Sequence, residues 1–194
     1  MEKVRYVLAL IIAVALPPTI LFWLLIHPFI HFWRKRGPFA AYFCALSIMA
    51  AGATFLVSIR EKFMAVEYGT NPLLMALAVV VMGLAIWLRV LLQRHFSTRQ
   101  LVGLPELAPG RYASVLVTEG IYGRIRHPRY VELLMAFSAY ALFCNYLAAY
   151  VAAALWIPGM YVIVLLEEKE LRERFGAAYD EYCRRVPRFI PRRS

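Results

Sequence analysis

The chain has 194 residues, of which 62% are hydrophobic and 18% are charged, and its formal net charge is +10. Soluble domains are about half apolar and about a quarter charged, so this composition excludes an ordinary soluble domain and indicates an all-α integral membrane protein. In a membrane chain, basic residues set topology and meet anionic headgroups, so we expect membrane lipids as partners and no nucleic acid.

Three apolar runs open the chain, at residues 4–26, 39–59 and 72–92. Each is long enough to cross a hydrocarbon core of about 30 Å, and together they predict a three-helix scaffold over residues 1–93. Pro17 and Pro18 lie inside the first run and should kink or break its helix. His, Cys and acidic residues have no metal-site spacing, so no metal is expected.

A fourth apolar run, residues 131–166, contains one charged residue, Glu132. As one helix it would be about 54 Å long, so it must fold back, and Cys144-Asn145-Tyr146 is the expected turn. The sequence therefore predicts five transmembrane helices, the last two forming a helical hairpin. From Glu167 the chain continues as a charged amphipathic C-terminal helix.

The 22 Lys and Arg residues indicate the orientation. With the C-terminus inside, the inner segments hold three, six and eight of them, the outer segments hold four, and Arg89 lies within a span. The positive-inside rule then predicts an outside N-terminus and a cytoplasmic tail. In a bacterium this would be the inner membrane.

The most informative stretch is residues 114–130, SVLVTEGIYGRIRHPRY, which carries Arg126 and His127 to the start of the hairpin. Pro128 stands where a helix should begin, because proline lacks the N–H that a first helical residue leaves unpaired. Such a helix start favours an anion, here at the lipid–water boundary. The hairpin should bring Glu167 and Glu168 beside it, so both charge signs meet, which suggests a polar ligand carrying both.

The ordered motifs resemble the isoprenylcysteine carboxyl methyltransferase family and the related phospholipid methyltransferases. The resemblance covers about half the chain and is carried by Gly120-Ile121-Tyr122, Arg126-His127-Pro128-Arg129-Tyr130, Glu167-Glu168, Phe175-Gly176-Ala177-Ala178-Tyr179-Asp180-Glu181-Tyr182 and Val186-Pro187-Arg188.

The resemblance implies a membrane methyltransferase with a cytoplasmic S-adenosylmethionine site in residues 94–194, within a single membrane domain of residues 1–194. The cofactor contacts it implies are Ser114, Val115, Leu116, Val117, Tyr122, His127, Pro128, Arg129, Tyr130 and Glu167. The helix start and His127 would take the cofactor's carboxylate, and Glu167 or Glu168 would accept from its ribose diol or ammonium. A lipid-like or small amphiphilic methyl acceptor would enter between helices.

One position departs from the family. In the prenylcysteine enzymes, an arginine one turn before the first glutamate resembles a clamp for the substrate carboxylate. In this chain, Ile163 occupies that position. Arg89 is either a substitute reaching cofactor or substrate or a cation snorkelling to the interface. If the acceptor is an amine, Glu132 or Glu168 is the candidate base. Glu132 is equally compatible with a structural pair with Arg129 or Arg89.

Two other functions fit parts of the pattern. The tail around residues 182–187 also resembles membrane sterol and steroid reductases, which would use NADPH. A non-enzymatic membrane assembly factor would use its charges for topology alone, and that hypothesis leaves the grouping of His127, Tyr130 and Glu167 unexplained.

Overall fold

The computed structural model describes residues 1–93 and 115–192, and this part of the chain is helical without strands. One isolated antiparallel bridge joins Glu67 and Tyr146. The helices are α1 (Glu2–Ile26), α2 (Ile30–Arg36), α3 (Pro38–Ser58), α4 (Arg60–Phe63), α5 (Pro72–Gln93), a 3₁₀ helix (Gly120–Gly123), α6 (Pro128–Cys144), α7 (Leu147–Phe175) and α8 (Ala177–Arg185).

Four of these helices, α1, α3, α5 and α7, are long and apolar enough to cross a membrane. The first three match the apolar runs of the scaffold to within two residues at each end. The remaining predicted span corresponds to α6, which has 17 residues and is therefore about 25 Å long. The chain is an integral membrane protein with at least four candidate spans.

The proline pair does not break the first helix. α1 runs from Glu2 to Ile26 with Pro17 and Pro18 inside it, and Pro18 is buried. In lipid, a break would leave several backbone groups without hydrogen bonds, whereas the prolines cost only their own missing donors. Pro18 packs near Gly52 of α3, where an added Cβ would lie 3.6 Å from Pro18 Cγ, an ordinary van der Waals contact.

A turn between two helices lies at the predicted place. α6 ends at Cys144 and α7 begins at Leu147, and between them Asn145 adopts the left-handed conformation with φ +55°. Asparagine tolerates this region better than most residues. Asn145 Nδ2 donates to the Gly69 carbonyl at 2.9 Å, and the Tyr150 hydroxyl donates to Asn145 Oδ1 at 3.0 Å.

The connecting segments collect at two ends of the bundle, as the hairpin model requires. At one end, Arg5 Nε donates to the Cys144 carbonyl at 3.0 Å and its Nη1 lies 2.9 Å from Glu67 Oε1. At the other end, His27 Nδ1 and Glu170 Oε1 are 2.6 Å apart. Arg5 is almost fully buried, so it ties segments together as well as contributing to the charge bias.

The tail differs from the predicted single amphipathic helix. Residues 167–175 are the last turns of α7, and Gly176, at φ +55°, separates them from α8. α8 packs on the protein through Tyr179 and Tyr182, which form a buried cluster with Val186 that also contacts Leu116. The main core lies where α1, α6 and α7 meet.

Candidate active site

The chain enters α6 through a short, locally determined turn. Pro128 is the first helical residue, and His127 before it has φ −121° and ψ 54°. Proline disfavours helical geometry in the preceding residue, so His127 is turned out of the helix path. Ile125, His127 and Pro128 are buried, which fixes the turn against the bundle.

Glu168 of α7 is the centre of a buried polar cluster. Its Oε1 accepts from Arg126 Nη2 at 2.9 Å and from Arg188 Nε at 3.0 Å, and His127 Nε2 lies 3.1 Å from the same oxygen. Its Oε2 accepts from Arg188 Nη2 at 2.9 Å, and Arg172 Nη2 lies 3.7 Å away. Glu168 is fully buried, and these hydrogen bonds raise the pKa of Arg188.

The segment after α8 closes over the start of α6. The Arg126 amide donates to the Pro187 carbonyl at 2.8 Å, and the His127 amide donates to the Arg188 carbonyl at 3.0 Å. The Arg126 guanidinium also donates to the Cys183 carbonyl at 3.0 Å. Because the His127 amide is used by the tail, it is not available to an anion at the helix start.

α8 is joined to the 3₁₀ helix as well. The Tyr182 hydroxyl donates to the Tyr122 carbonyl at 2.6 Å. Burial raises the pKa of Tyr182 to about 12. Burial, and then the negative charge of Glu167, also raise the pKa of Tyr122. Both phenols therefore stay protonated at neutral pH and act as neutral groups.

Glu167 has a different environment from Glu168. Its Oε2 lies 3.7 Å from His127 Nδ1, beyond hydrogen-bonding distance, and this buried oxygen has no hydrogen-bond partner among the described residues. The rings of Tyr130 and Phe189 lie 5.8 Å and 5.9 Å from the His127 ring. An unsatisfied buried carboxylate oxygen is a strong candidate for a ligand contact.

Arg89 and Glu132 form a second polar pair, between α5 and α6. Arg89 Nη1 lies 3.6 Å from Glu132 Oε2, and that oxygen is buried without a hydrogen-bond partner in the described part of the chain. The Arg89 side chain is 38% exposed, whereas Glu132 is buried. Of the two partners considered for Glu132, Arg89 lies within ion-pair distance of it.

The other predicted contacts are dispersed around the cluster. Val115 is exposed, Leu116 is half-buried against α8, Val117 is half-buried, and Ser114 lies outside the described residues. Ile163 is buried in the bundle. Pro128, Arg129 and Tyr130 begin α6 next to His127.

The prediction does not assign Arg126 or Arg188 to the site, although both belong to its motifs. The signal was available, because a buried glutamate requires cationic or hydrogen-bonding partners and the two arginines flank it in the ordered pattern. What the sequence does not reveal is that Arg188, far along the tail, returns to the same carboxylate as Arg126.

Three relatives illustrate what the chain is similar to. Protein-S-isoprenylcysteine O-methyltransferase B of Arabidopsis thaliana is 35% identical over 77 residues, covering 39% of this chain and 39% of the relative. Methanethiol S-methyltransferase 1 of Bradyrhizobium diazoefficiens is 34% identical over 102 residues, covering 52% and 33%. The mouse Delta(14)-sterol reductase TM7SF2 is 30% identical over 106 residues, covering 51% and 24%.

The chain thus spans two fifths or less of the length of these relatives. No solved structure gives a significant match. The family model for phospholipid methyltransferases matches residues 73–178, more than half of the chain, from the start of α5 into α8. This segment includes the turn into α6, the hairpin and both glutamates. The chain belongs to the phospholipid methyltransferase family.

Proposed function

We propose that the protein is an S-adenosylmethionine-dependent methyltransferase of the membrane that acts on a lipid-like or small amphiphilic acceptor. The observation that carries the proposal is the buried cluster around His127, Glu167 and Glu168, three residues of the family-matched segment that join the start of α6 to α7. Ionisable residues among membrane helices are rare and often mark a functional site, and Glu167 Oε2 has no hydrogen-bond partner among the described residues.

The side chains present fit this cofactor. Its carboxylate, ammonium and ribose diol need donors and acceptors, and its adenine and sulfonium need apolar or aromatic surfaces. Glu167 Oε2 offers an acceptor without a hydrogen-bond partner in the described part of the chain. Tyr130 is an aromatic neighbour of His127, and Tyr122 is close enough to Glu167 to feel its charge. The predicted contacts at Val115, Leu116 and Val117 would complete the site beside α8.

When bound, S-adenosylmethionine supplies a methyl group on a positively charged sulfur. The acceptor's nucleophile forms a new bond to that carbon as the carbon–sulfur bond breaks, so the protein must align the two and exclude water. An amine or thiol acceptor must also lose a proton. We place Glu132 in the role of base because both Glu168 oxygens already accept hydrogen bonds from Arg126 or Arg188.

The acceptor class follows from two positions. Ile163 is buried and uncharged at the position where the prenylcysteine enzymes have the arginine that resembles a carboxylate clamp. A carboxylate acceptor therefore has less support than an amine or a thiol. Arg89 is held by Glu132, so its charge is already balanced. We propose that the polar end of the acceptor meets this pair, with its apolar part between α5 and α6.

We also propose five spans, with α6 as the short fourth, and a cytoplasmic cofactor site and tail. The segments that carry the motif and the tail share one end of the bundle with α2, whose last turn is Arg34, Lys35 and Arg36. Clustering of basic residues at this end supports a cytoplasmic location.

Methyl transfer tests the proposal. Purified protein in lipid vesicles, given S-adenosylmethionine with a labelled methyl group, should label an acceptor among a lipid amine, a small thiol and a prenylated cysteine. The thiol and amine should be labelled faster than the carboxylate. If no acceptor is labelled and no membrane extract provides one, the protein is not a methyltransferase of this class.

A reductase is the second candidate, favoured by the similarity to the sterol reductase. It predicts binding of NADPH in place of S-adenosylhomocysteine and reduction of a sterol double bond, so the same preparation separates the two functions.

A further inference from the structure

Glu170 of α7 makes a buried contact with the end of α1. His27 Nδ1 lies 2.6 Å from Glu170 Oε1, and the two side chains are 4% and 7% exposed. At this distance one proton must lie between the nitrogen and the oxygen, because two bare acceptors would repel one another. Glu170 Oε2 has no hydrogen-bond partner among the described residues, so His27 is the group that orients this carboxylate.

Glu168 and Glu170 hold α7 from opposite sides. Successive residues of a helix are about 100° apart, so a step of two residues separates these side chains by about 200° around the axis. Glu168 faces the two arginines of the polar cluster, whereas Glu170 faces His27. Two directional contacts on opposite faces fix the rotation of the helix, and with it the direction in which Glu167 points.

His27 is itself held in place. It follows the last residue of α1, and its amide donates to the Trp23 carbonyl at 3.0 Å. Its ring stacks on the Trp23 ring, with centroids 5.3 Å apart and an angle of 22° between the planes. Its carbonyl accepts from the amide of Ile30, where α2 begins, at 3.3 Å. A side chain anchored in this way transmits the position of α1 to Glu170.

We infer that His27 is a positioning residue, which through Glu170 sets the rotation of the last turns of α7 and so directs Glu167 at the cofactor. This inference rests on the proposed function. His27 touches neither cofactor nor acceptor in this assignment. It also lies outside the family-matched residues 73–178, so a scaffold helix contributes to the geometry of the site.

A neighbouring pair provides a matched control. His31 Nε2 lies 3.6 Å from Glu173 Oε2, so this pair joins α2 to the same end of α7. Its side chains are 71% and 45% exposed, and its distance exceeds that of a hydrogen bond. Exposed ion pairs contribute little, because water and salt screen their charges. Loss of this pair should leave the rotation of α7 unchanged.

Binding of S-adenosylhomocysteine tests the positioning role. We expect His27→Ala and Glu170→Ala each to weaken binding to the folded protein about fivefold or more, and the double variant to be no more than about twofold worse than either. His27→Gln has an amide that can donate to Glu170, and it should bind within about twofold of wild type. His31→Ala and Glu173→Ala should bind as wild type does.

An apolar replacement separates positioning from stability. Buried ion pairs can often be replaced by apolar residues without loss of stability, so His27→Phe/Glu170→Met should unfold at a temperature close to that of wild type. An apolar contact has no preferred direction, so we still expect binding about threefold or more weaker than in wild type. Binding equal to wild type in this stable variant overturns the inference, even if the alanine variants do not fold.

Hydrogen exchange of the unliganded protein makes the test independent of the cofactor. We expect faster exchange at the amides of residues 167–175 in His27→Ala and His27→Phe/Glu170→Met, and wild-type exchange in His31→Ala. Unchanged exchange in all three overturns the inference. If wild type binds no S-adenosylhomocysteine, the proposed function fails, whatever the exchange shows. If wild type and all variants bind it equally, the function stands and the positioning role of His27 is wrong.

Discussion

Glu167 and Glu168 are neighbours in the chain but have opposite environments. Successive residues of a helix point about 100° apart, so Glu168 faces Arg126 and Arg188 while Glu167 faces the second nitrogen of His127. The sequence predicts that two adjacent carboxylates meet the motif. Their division into a fully satisfied carboxylate and one with an unsatisfied oxygen depends on where the tail returns, which no local pattern contains.

Substitution of Arg126 should destabilise the protein more than substitution of any other residue in the cluster. Its side chain is buried and donates to Glu168 and to the Cys183 and Val186 carbonyls. Arg126→Ala leaves a buried carboxylate with fewer partners, so we expect the free energy of unfolding in detergent to fall by about 3–5 kcal/mol. The exposed Arg124 is the control, and Arg124→Ala should change it by less than about 0.5 kcal/mol. Equal effects of the two substitutions would contradict the cluster's role.

Substitution of Glu132 should lower turnover more than it weakens cofactor binding. As the base for an amine or thiol acceptor, Glu132→Gln should lower kcat about 100-fold or more, with affinity for S-adenosylhomocysteine within about twofold of wild type. The pair with Arg89 at 3.6 Å offers a second probe, because Arg89→Gln keeps the carboxylate and should retain part of the activity. Unchanged turnover in Glu132→Gln would make this pair structural.

At the scale of helices, α7 does two things in sequence. It crosses the bundle and then continues past Glu168 to Phe175, so the same rigid element that packs against α1 also carries both glutamates. Gly159 allows this packing, because a Cβ there would lie 2.9 Å from Ile20 Cγ2. The sequence predicts the span but ends it at residue 166, before the first charged residues. Hydrophobicity marks the end of the apolar run, whereas the helix itself continues to Phe175.

Gly176 directs the tail back to the site. Its φ of +55° with ψ −131° is a conformation that side-chain-bearing residues rarely adopt. Gly176→Ala should cost about 1–3 kcal/mol and loosen α8. We expect faster hydrogen exchange at the Arg126 and His127 amides, which donate to the Pro187 and Arg188 carbonyls. Gly83→Ala, inside α5 with open space around it, should leave these amides unchanged. Protection retained in Gly176→Ala would show that the tail docks independently of this residue.

At the scale of the whole molecule, the sequence predicts the bundle well and the site in part. Apolar runs locate α1, α3 and α5, and the length limit of a bilayer locates the turn at Asn145. The hairpin then correctly brings His127 beside the glutamates. Arg188 escapes prediction because it depends on α8 folding back through Gly176. The burial of Arg5 escapes prediction because a basic residue near a helix end is ordinarily solvated.

The two ends of the bundle also predict accessibility in cells. In a chain without its own cysteines, Lys62→Cys and Arg184→Cys place single thiols at exposed positions of opposite ends. A membrane-impermeant thiol reagent should label Lys62→Cys in intact cells and Arg184→Cys only after permeabilisation. The reverse pattern would invert the orientation inferred from charge.

Calorimetry tests the central claim most directly. Detergent-purified wild type and Glu167→Ala would be titrated with S-adenosylhomocysteine and then with NADPH. We predict saturable binding of S-adenosylhomocysteine to wild type, weakened about tenfold or more in Glu167→Ala, and no binding of NADPH. Binding of NADPH alone, or of neither ligand, would contradict the assignment of this site to S-adenosylmethionine.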